Sequence, residues 1–510
     1  MSTNVTGSGL NAADVILCHA ARLAHKTAII HHPIAAAPYT VTYGALAQSV
    51  ARAAHVFASL GLARGDRVAI LMNDSPRYCA AFLGAIKAGG VAIALNTRFS
   101  KDDYAFILHD SEARIVVADV EFMPLLGLGP ARIINLNDFD RACADAASTY
   151  VTADTVATDP AFWLYSSGTT GRPKGIIHSQ LGCAHAGQLL REVLQADESF
   201  TIFATSKLFF AFALDNAFLG PLAIGATTIT NEAWAEPELA VAQAARYRPD
   251  VFFTVPTFFR RLLQMPVDQL KPFCDVPFAY TGGERVPESV STGWKAATGR
   301  TLAACYGMSE TFTNAMANFP GREKAGSCGE LLGDVEAKLL GSDGAQAAAD
   351  EPGVLWLRHR SYALGYRDPR ANAQMFRDDW FCTNDRFTRD GDGHWWHQGR
   401  VDELIKVAGQ WVKPGEVEDA ALADGTLREA ACVVVPDAHG FERLALFVVA
   451  ASTGAGGADI VLSATEQALA RLPSHSQPKW VRVIDELPRT PTGKVQRFRL
   501  RALLEAELNQ

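Results

Sequence analysis

An alternation of strand-like and helix-like segments between residues 40 and 120 is the feature that most constrains the fold. RVAILM (67–72), VAIALN (91–96) and IVVAD (115–119) are short apolar runs typical of buried strands. Residues 41–61 lie before the first run and residues 75–90 after it, and both segments have the apolar spacing of amphipathic helices. Both segments end at glycines. Because a β-α-β order produces parallel strands with helices on both faces of the sheet, the sequence predicts an α/β fold.

The pattern changes after about residue 330. Residues 335–346, 353–359 and 386–400 predict strands joined by Asp-Gly turns, and therefore an antiparallel piece. Beyond about residue 400, the strand-like runs ACVVVPD and RLALFVVA and the helix-like run ATEQALARLPSH predict a small α+β unit. We place the boundary within GRVDE, which divides the chain into an N-terminal domain of residues 1–401 and a C-terminal domain of residues 402–510.

Composition narrows the classes of function. The 510-residue chain has a net charge of −8 and no basic runs, and because phosphate neutralisation needs clustered Lys and Arg, we expect no nucleic-acid partner. The nine cysteines are never spaced as C-x-x-C, which argues against a disulfide framework or a zinc site and fits a reducing cytosol. The N-terminal residues lack the basic and apolar regions of a signal peptide, so we expect a cytoplasmic protein.

One apolar stretch, LFFAFALDNAFLGPLAIGA (208–226), is long enough to suggest a membrane span. Asp215 and Asn216 lie at its centre, and Gly220 with Pro221 interrupts it. We therefore expect no membrane association and instead a buried helix beside an apolar pocket.

Glycines, hydroxyls and a lysine are concentrated in YSSGTTGRPKGII (165–177). The strand-like FWLY precedes this loop and residues with helical spacing follow it, an order that often binds phosphate through backbone N–H groups. The P-loop pattern G-x-x-x-x-G-K-[ST] is absent, because Lys174 lies between Pro173 and Gly175. The loop alone leaves open a phosphate site and a flexible surface loop.

Five further segments follow the loop: TGGERVP (281–287), YGMSE (306–310), WFCTND (380–385), GRVDELIKVAGQWVKPGEVE (399–418) and LPRTPTGKVQR (487–497). Together with the loop, this ordered set resembles the motifs of the adenylate-forming (AMP-binding) superfamily, which includes acyl- and aryl-CoA ligases, nonribosomal-peptide adenylation domains and luciferases. The resemblance covers nearly the whole chain. It implies a large N-terminal domain of two parallel αβ sheets plus a β-barrel-like piece, followed by a small mobile α+β C-terminal domain.

The resemblance also implies a reaction in which a carboxylic acid and ATP form acyl-AMP and pyrophosphate, and a thiol then forms a thioester and releases AMP. Lys494 is expected to contact the carboxylate and the α-phosphate as they join, and Glu310 to bind Mg²⁺. Asp385 would accept the ribose hydroxyls, Arg400 would contact ribose or the α-phosphate, and Tyr306 would stack on adenine. The remaining ATP-binding residues implied by the motifs are Ser166, Ser167, Gly168, Thr169, Thr170, Gly171, Lys174, Gly282, Gly283, Glu284, Gly307 and Ser309.

Three positions near these motifs qualify the assignment. MSET (308–311) is also typical of a helix N-terminus, where Glu310 would act as a capping residue. Ser309 replaces the family's threonine and keeps its hydroxyl. Asn384 replaces the family's glycine, and asparagine is the residue besides glycine that best tolerates a positive φ.

Lys494 is remote in sequence from the phosphate loop, so the small domain has to close over ATP to deliver it. Asp402 matches the family's hinge residue, and rotation there would withdraw Lys494 and present another face for the thiol step. Lys406, Gly409 and Trp411 would then line the coenzyme A tunnel, with Gly409 leaving room for the pantetheine arm.

KLFFAFALDN (207–216) resembles the pocket-lining segment of benzoate- and anthranilate-CoA ligases. Aromatic walls with few polar groups suit a flat ring, although a plain hydrophobic core is an alternative. Thr313 stands where we expect histidine in benzoate ligases, so a substituted benzoate or a heteroaromatic acid is as plausible as benzoate. The expected pocket residues are Phe210, Ala211, Phe212, Thr281, Gly307 and Thr313.

The sequence thus predicts an ATP-dependent carboxylic acid–CoA ligase for a small aromatic acid, with ATP, Mg²⁺ and coenzyme A as cofactors. Alternatives are an enzyme that loads an acyl group onto a carrier protein's phosphopantetheine, a short- or medium-chain aliphatic acyl-CoA synthetase, and a luciferase-like oxygenase. A carrier-protein partner and a homodimer both stay open.

Overall fold

The computed structural model describes residues 9–127, 129–167, 172–341, 343–348, 350–401, 405–407, 410–412, 414–423, 426–437, 441–451, 457–489 and 495–508, with the backbone alone for residues 167, 405–407, 410–411 and 457–460. The chain divides into two compact units. The first comprises Met1–Ala337, Leu357–Phe381 and Asp390–Trp396, and the second comprises Lys338–Trp356, Cys382–Arg389 and His397–Gln510. The boundary predicted between residues 401 and 402 stays a prediction.

The larger sheet of the first unit is parallel through its centre. Its edge strands pair antiparallel, whereas the six strands between them pair parallel. Phe252 and Phe253 point to opposite faces of one central strand and both are fully buried, because apolar side chains cover each face. In spatial order, the described strands are Glu330–Leu331, Met316–Ala317, Leu302–Tyr306, Phe278–Thr281, Val251–Thr254, Thr201–Ala204, Thr227–Asn231, Thr27–His32 and Tyr39–Thr42.

The second sheet of this unit contains the strands predicted from the three apolar runs. Its pairs are parallel except at one edge, where Gly365–Tyr366 and Pro173–Ser179 run antiparallel to their neighbours. The described strands, in spatial order, are Gly365–Tyr366, Pro173–Ser179, Pro160–Ser167, Val91–Ala94, Arg67–Leu71, Ile115–Ala118 and Arg132–Asn135.

Both predicted helices of the opening segment form, with ends that the sequence explains. Tyr43–Ser59 stops just before Gly61, which has a φ of +82°. Pro76–Lys87 begins after Ser75, whose side chain accepts the backbone N–H of Tyr78, and proline suits the first helical position.

A shared aromatic core joins the two sheets of the first unit. Phe82 lies 5.9 Å from Phe162 of the second sheet and 5.8 Å from Phe218 of a helix packed on the larger sheet, measured between ring centroids. All three side chains are fully buried, and aromatic pairs at this spacing add to the stability gained from burial alone.

The remaining elements complete the fold. Phe376–Arg377 pairs antiparallel with the start of Trp380–Arg389, as expected of the region after residue 330. In the second unit, Leu427–Pro436 pairs antiparallel with Glu442–Ala450, which pairs parallel with Trp480–Val483. Other described strands are Glu336–Leu340, Gly353–Arg358, Trp395–Arg400, Ile405–Val407 and Gln410–Val412.

Helices of both units surround these sheets. The described α-helices not named elsewhere are Ala12–Ile16, Lys101–Ser111, Leu136–Asp145, Gln180–Ala184, Pro237–Tyr247, Pro256–Leu263, Glu288–Thr298, Pro369–Met375, Pro414–Leu422, Gly457–Leu469 and Arg497–Leu508, and the other helical turns are Val120–Leu125, Leu189–Val193, Val267–Asp275 and Ser474–Ser476. The predicted α/β class, with a large N-terminal domain built on parallel sheets and a small α+β C-terminal domain, is confirmed.

The long apolar stretch after residue 207 forms a buried helix, as predicted. It consists of the consecutive pieces Ala211–Ala213, Leu214–Leu219 and Gly220–Ile224, with the middle piece in π-helical geometry. Within the described part of the chain, no helix combines the length and the apolar character that crossing a bilayer requires.

Asp215 is a fully buried carboxyl group within this helix. Its Oδ1 accepts the backbone N–H of Gly187 at 2.7 Å. Burial raises the pKa of Asp215 to about 7, although the Gly187 hydrogen bond and the positive charge of Arg191 oppose the shift. Since an Asp in an unfolded chain titrates near pH 4, the folded state keeps a proton that the unfolded state loses between about pH 4 and pH 7.

We therefore predict that Asp215→Asn changes the pH dependence of stability. In that window the Asp215 titration lowers the free energy of unfolding of the wild type by about 1.4 kcal/mol per pH unit, and the variant lacks this loss. Thermal unfolding of both proteins should be measured from about pH 5 to about pH 8. The free energy of unfolding of the variant, relative to that of the wild type, should rise up to about pH 7 and stay constant above it. A difference that stays constant across the series would contradict the raised pKa.

Candidate active site

The phosphate loop connects two strands instead of leading into a helix. Pro160–Ser167 and Pro173–Ser179 pair antiparallel, with Ser166 opposite Lys174, and the helix Gln180–Ala184 begins only after the second strand. The predicted strand–loop–helix order was therefore wrong at its last element, because residues 173–179 form a strand beside the edge strand Gly365–Tyr366. This strand separates the loop from the helix N-terminus that was expected directly after it. The predicted residues Gly168, Thr169, Thr170 and Gly171 lie outside the described residues, as does the side chain of Ser167.

The carboxylate of Glu310 is held in place from several sides. The hydroxyl of Tyr366 donates to Glu310 Oε1 at 2.6 Å, and the N–H of Ala363 donates to the Glu310 carbonyl at 2.9 Å. On the preceding residue, His178 Nε2 donates to the Ser309 carbonyl at 2.8 Å. Burial lowers the pKa of His178 to about 3, so the ring is neutral and its donating tautomer is fixed by the carbonyl.

Sheet pairing brings Glu310 close to the phosphate loop. Tyr366, whose hydroxyl donates to Glu310, lies on the edge strand of this sheet, and it is opposite Ile176 on the neighbouring strand that also carries Lys174. Residues 309–311 form a turn and no described helix begins there, so the alternative interpretation of Glu310 as a helix cap was wrong. Neither Tyr366 nor His178 was identified from the sequence, since each is more than fifty residues from its partner.

The predicted adenine-binding residues lie at the carboxyl ends of two neighbouring parallel strands. Phe278–Thr281 runs into Gly282, Gly283 and Glu284, and Leu302–Tyr306 runs into Gly307. A Cβ on Gly307 would lie 3.1 Å from the Thr313 carbonyl, so this close approach of the backbone favours glycine. Glu284 is exposed and accepts a hydrogen bond from the Thr257 hydroxyl at 2.6 Å.

In the second unit, the predicted ribose-binding carboxylate lies close to an arginine and a histidine. Arg400 Nη1 and His397 Nε2 lie 3.5 Å and 3.7 Å from Asp385 Oδ1, and Asp385 is 5% exposed. Asn384 has a φ of +58°, which confirms that this position needs the conformation that glycine and asparagine tolerate. His397 was not singled out from the sequence.

The residues assigned to the moving part of the mechanism are only partly described. Asp402, Gly409 and Lys494 lie outside the described residues. Lys406 and Trp411 are opposite each other on the antiparallel strands Ile405–Val407 and Gln410–Val412, for which the backbone alone is described.

The predicted acyl pocket residues do come together, and we call them the acyl cluster: Phe210, Ala211, Phe212, Thr281, Gly307 and Thr313. A Cβ on Gly282, the residue after Thr281, would lie 3.4 Å from the Phe212 ring. Thr281 and Thr313 are 0% and 1% exposed, and within the described structure neither side-chain hydroxyl has a hydrogen-bond partner. Phe210, Ala211 and Phe212 are only half-buried, which fits a pocket wall better than a closed core.

Two buried amides connect the cluster and were missed in the sequence. Asn314 Nδ2 donates to Asn216 Oδ1 at 3.1 Å, and Asn216 Nδ2 donates to the Phe212 carbonyl at 2.9 Å. This chain of hydrogen bonds holds the helix that carries Phe212 against the segment that carries Thr313. In the sequence, Asn216 stood out only as a polar residue within an apolar run. That polarity was also the available signal of its role in the site.

The comparisons with known proteins agree with these features. Residues 18–367 match the family model of AMP-binding enzymes, and residues 416–494 match that of the AMP-binding enzyme C-terminal domain. A 3-hydroxybenzoate–CoA ligase of Aromatoleum sp. (strain CIB) is 37% identical, over 98% of this chain and 97% of that protein. A 3-hydroxybenzoate–CoA/4-hydroxybenzoate–CoA ligase of Thauera aromatica is 34% identical over 98% of both chains.

A solved structure is similar over its whole length. The crystal structure of an anthranilate CoA ligase in complex with anthranoyl-AMP has a TM-score of 0.91 and 27% identity, with 100% of each chain covered. The resemblance inferred from the ordered motifs is thereby confirmed, and the chain belongs to the AMP-binding enzyme family.

Proposed function

We propose that this protein is an AMP-forming ligase that joins an aromatic carboxylic acid to coenzyme A. The observation that carries the proposal is the acyl cluster, a half-buried aromatic wall that faces small residues beside the predicted adenine-binding strands. The relatives at 34–37% identity, which are hydroxybenzoate–CoA ligases over nearly their full lengths, support the same class of acid and the same thiol.

The first half-reaction brings a carboxylate to a polyanionic triphosphate, so charge neutralisation and positioning dominate it. Ser166 and Lys174, with residues 167–171, would hold the β- and γ-phosphates and then the leaving pyrophosphate. Ser166 and Lys174 are opposite each other on paired strands, which supports this role because the pairing fixes the backbone from which the Lys174 side chain extends. Tyr306 and residues 282–284 would hold adenine at the ends of their strands.

Glu310 is the residue we propose to hold Mg²⁺. Among the described residues, no group of three or more His, Cys, Asp or Glu side chains could hold a metal ion. Magnesium usually keeps water ligands and binds through one or two carboxylates together with substrate phosphates, so a single protein carboxylate is enough for this role. When bound, the ion would neutralise charge on the phosphates; the hydrogen bond from Tyr366 orients the carboxylate for that task.

Asp385 is proposed to accept the two ribose hydroxyls. A carboxylate suits this role because it accepts hydrogen bonds and donates none. The nearby Arg400, whose Nη1 lies 3.5 Å from Asp385 Oδ1, would contact ribose or the α-phosphate.

Lys494 is proposed to act on the carboxylate and α-phosphate during adenylation, and Asp402 to be the hinge that withdraws it before the thiol step. Coenzyme A would then enter along Lys406, Gly409 and Trp411. Because the reaction consumes ATP and coenzyme A and the nine cysteines fit a reducing compartment, we also propose a cytoplasmic location.

The proposed function predicts two separable products. Pyrophosphate should be released on mixing the protein with ATP, Mg²⁺ and an aromatic acid without coenzyme A, and thioester and AMP should accumulate only when coenzyme A is added. We would measure pyrophosphate, AMP and ADP across benzoate, hydroxybenzoates, aminobenzoates and short aliphatic acids. The proposal would be contradicted if ADP were the nucleotide product, or if pyrophosphate were released with aliphatic acids but with no aromatic acid. Transfer to a carrier-protein phosphopantetheine but not to coenzyme A would support the carrier-loading alternative.

We predict that Lys494→Ala loses adenylation but keeps the thiol step. Removing a charge that acts on the transition state costs on the order of 100-fold or more in rate, whereas thioester formation from supplied acyl-AMP does not use this ammonium group. Single-turnover assays of each half-reaction separate the two effects. Lys479→Ala is the control, because Lys479 is a half-exposed lysine of the same unit that pairs with Asp437. Equal losses in both half-reactions of Lys494→Ala would contradict its assigned role.

A further inference from the structure

Asp215 carries a buried oxygen atom that the fold leaves without a partner. Its Oδ1 is satisfied by the Gly187 N–H, but Oδ2 is buried and no described residue donates a hydrogen bond to it. A buried carboxylate oxygen without a partner is costly, so such an atom either destabilises the protein without compensation or meets a group that the protein binds.

Arg191, the nearest cation, does not account for Asp215. Its Nη1 and Nη2 donate to the carbonyls of Ala186 and His185 at 2.6 Å and 3.0 Å. Among the described side chains, Arg191 and Asp215 do not approach within ion-pair distance; Arg191 acts on Asp215 only through its field. Asp215 is therefore not half of a structural salt bridge.

Contacts around Asp215 place it next to the acyl cluster. It lies three residues after Phe212 on the same helix and directly before Asn216, whose amide is bound to Asn314, the neighbour of Thr313. Cys305 lies on another side: a Cβ on Gly282 would be 3.2 Å from Cys305 Sγ and 3.4 Å from the Phe212 ring. Burial raises the pKa of the Cys305 thiol, and the charges of Cys328 and Asp215 raise it further.

The polar atoms around the cluster favour a substituted ring over a plain one. The hydroxyls of Thr281 and Thr313 are also buried without partners among the described residues, so the acyl cluster and the adjacent Asp215 carry three buried oxygen atoms whose hydrogen-bonding capacity is unused. An unsubstituted ring satisfies none of them. Burial raises the pKa of Asp215 to about 7, so the ionised carboxylate is populated at neutral pH and above. A ring that carries a hydroxyl or amino group can donate to this ionised form, which is the strongest acceptor of the three.

We propose that Asp215 determines the specificity for the acid: its Oδ2 accepts a hydrogen bond from a hydroxyl or amino substituent on the aromatic ring. The substrates are then benzoates with a hydrogen-bond donor on the ring. The inference rests on the proposed function, since it assumes that an aromatic acid occupies the acyl cluster. It adds one residue, Asp215, that distinguishes acids by the substituent on the aromatic ring.

The first test uses the wild-type enzyme and does not depend on any variant. We would compare kcat/KM for each hydroxybenzoate isomer with that for the methylbenzoate substituted at the same position, using pyrophosphate release. Methyl and hydroxyl groups have similar size, so a site that hydrogen-bonds the hydroxyl should prefer it by about 10-fold or more at one ring position. If no isomer shows a preference over its methyl analogue, the inference is overturned.

The second test removes the acceptor. Asp215→Ala deletes both oxygens, and Asp215→Asn keeps an acceptor for Gly187 N–H while replacing the carboxylate charge. For both variants we expect kcat/KM for the preferred hydroxybenzoate to fall by about 10-fold or more, while kcat/KM for benzoate stays the same or rises. Equal losses for both acids, or no loss for either, would overturn the inference.

Asp119→Asn is the control, because it makes the same change on a partly buried carboxylate outside the acyl cluster that also accepts a backbone N–H, that of Asn73 at 2.8 Å. Its ratio of activities on hydroxybenzoate and benzoate should equal that of the wild type.

Failure of this inference and failure of the proposed function give different results. An enzyme that makes benzoyl-CoA without any preference for donors keeps the proposed function and loses the role of Asp215, whereas an enzyme inactive with every aromatic acid loses both.

Discussion

Parallel strands covered on both faces impose the constraint on which the site depends. Because such strands are buried along their length, polar residues are confined to the turns at their ends, and the carboxyl ends of neighbouring strands share one edge of the sheet. In this chain, Thr281 and Tyr306 end adjacent parallel strands, and the segment after Thr201–Ala204 leads to Phe212. Residues about a hundred positions apart thus come together without any contact specific to the substrate. The core of Phe82, Phe162 and Phe218 then fixes one sheet against the other.

The carboxylate of Glu310 is held by neutral partners, unlike that of Asp385, which lies 3.5 Å from Arg400 Nη1. Glu310 depends on a tyrosine hydroxyl and on a turn fixed by a histidine that burial keeps uncharged. Neutral supports leave the charges of Lys174 and Glu310 for phosphate and metal, since an opposing side-chain charge would offset them. Asp215 departs from this arrangement as a carboxyl group that burial keeps near neutrality, and a donor on the ring would compensate for its isolation.

Sequence reasoning succeeded where the signal was local. The apolar runs at 67–72, 91–96 and 115–119 all became strands, and the substitution of glycine by Asn384 indicated the positive φ that the structure has. It failed where pairing over long separations decided the outcome. Pro173–Ser179 contains a proline and a glycine and precedes a run of helical spacing, so its role as a strand depends on the partners that it pairs with on both sides. The bond between Tyr366 and Glu310 had no sequence signal at all.

The central claim is that the acid becomes an acyl adenylate, and the fate of the carboxylate oxygens tests it most directly. With a benzoate or hydroxybenzoate labelled with ¹⁸O in both carboxylate oxygens, attack on the α-phosphate transfers one labelled oxygen to AMP when the thiol displaces it. Mass spectrometry should therefore find one ¹⁸O atom per AMP formed and one in the thioester carbonyl. AMP without label, or label in inorganic phosphate accompanied by ADP, would contradict the account.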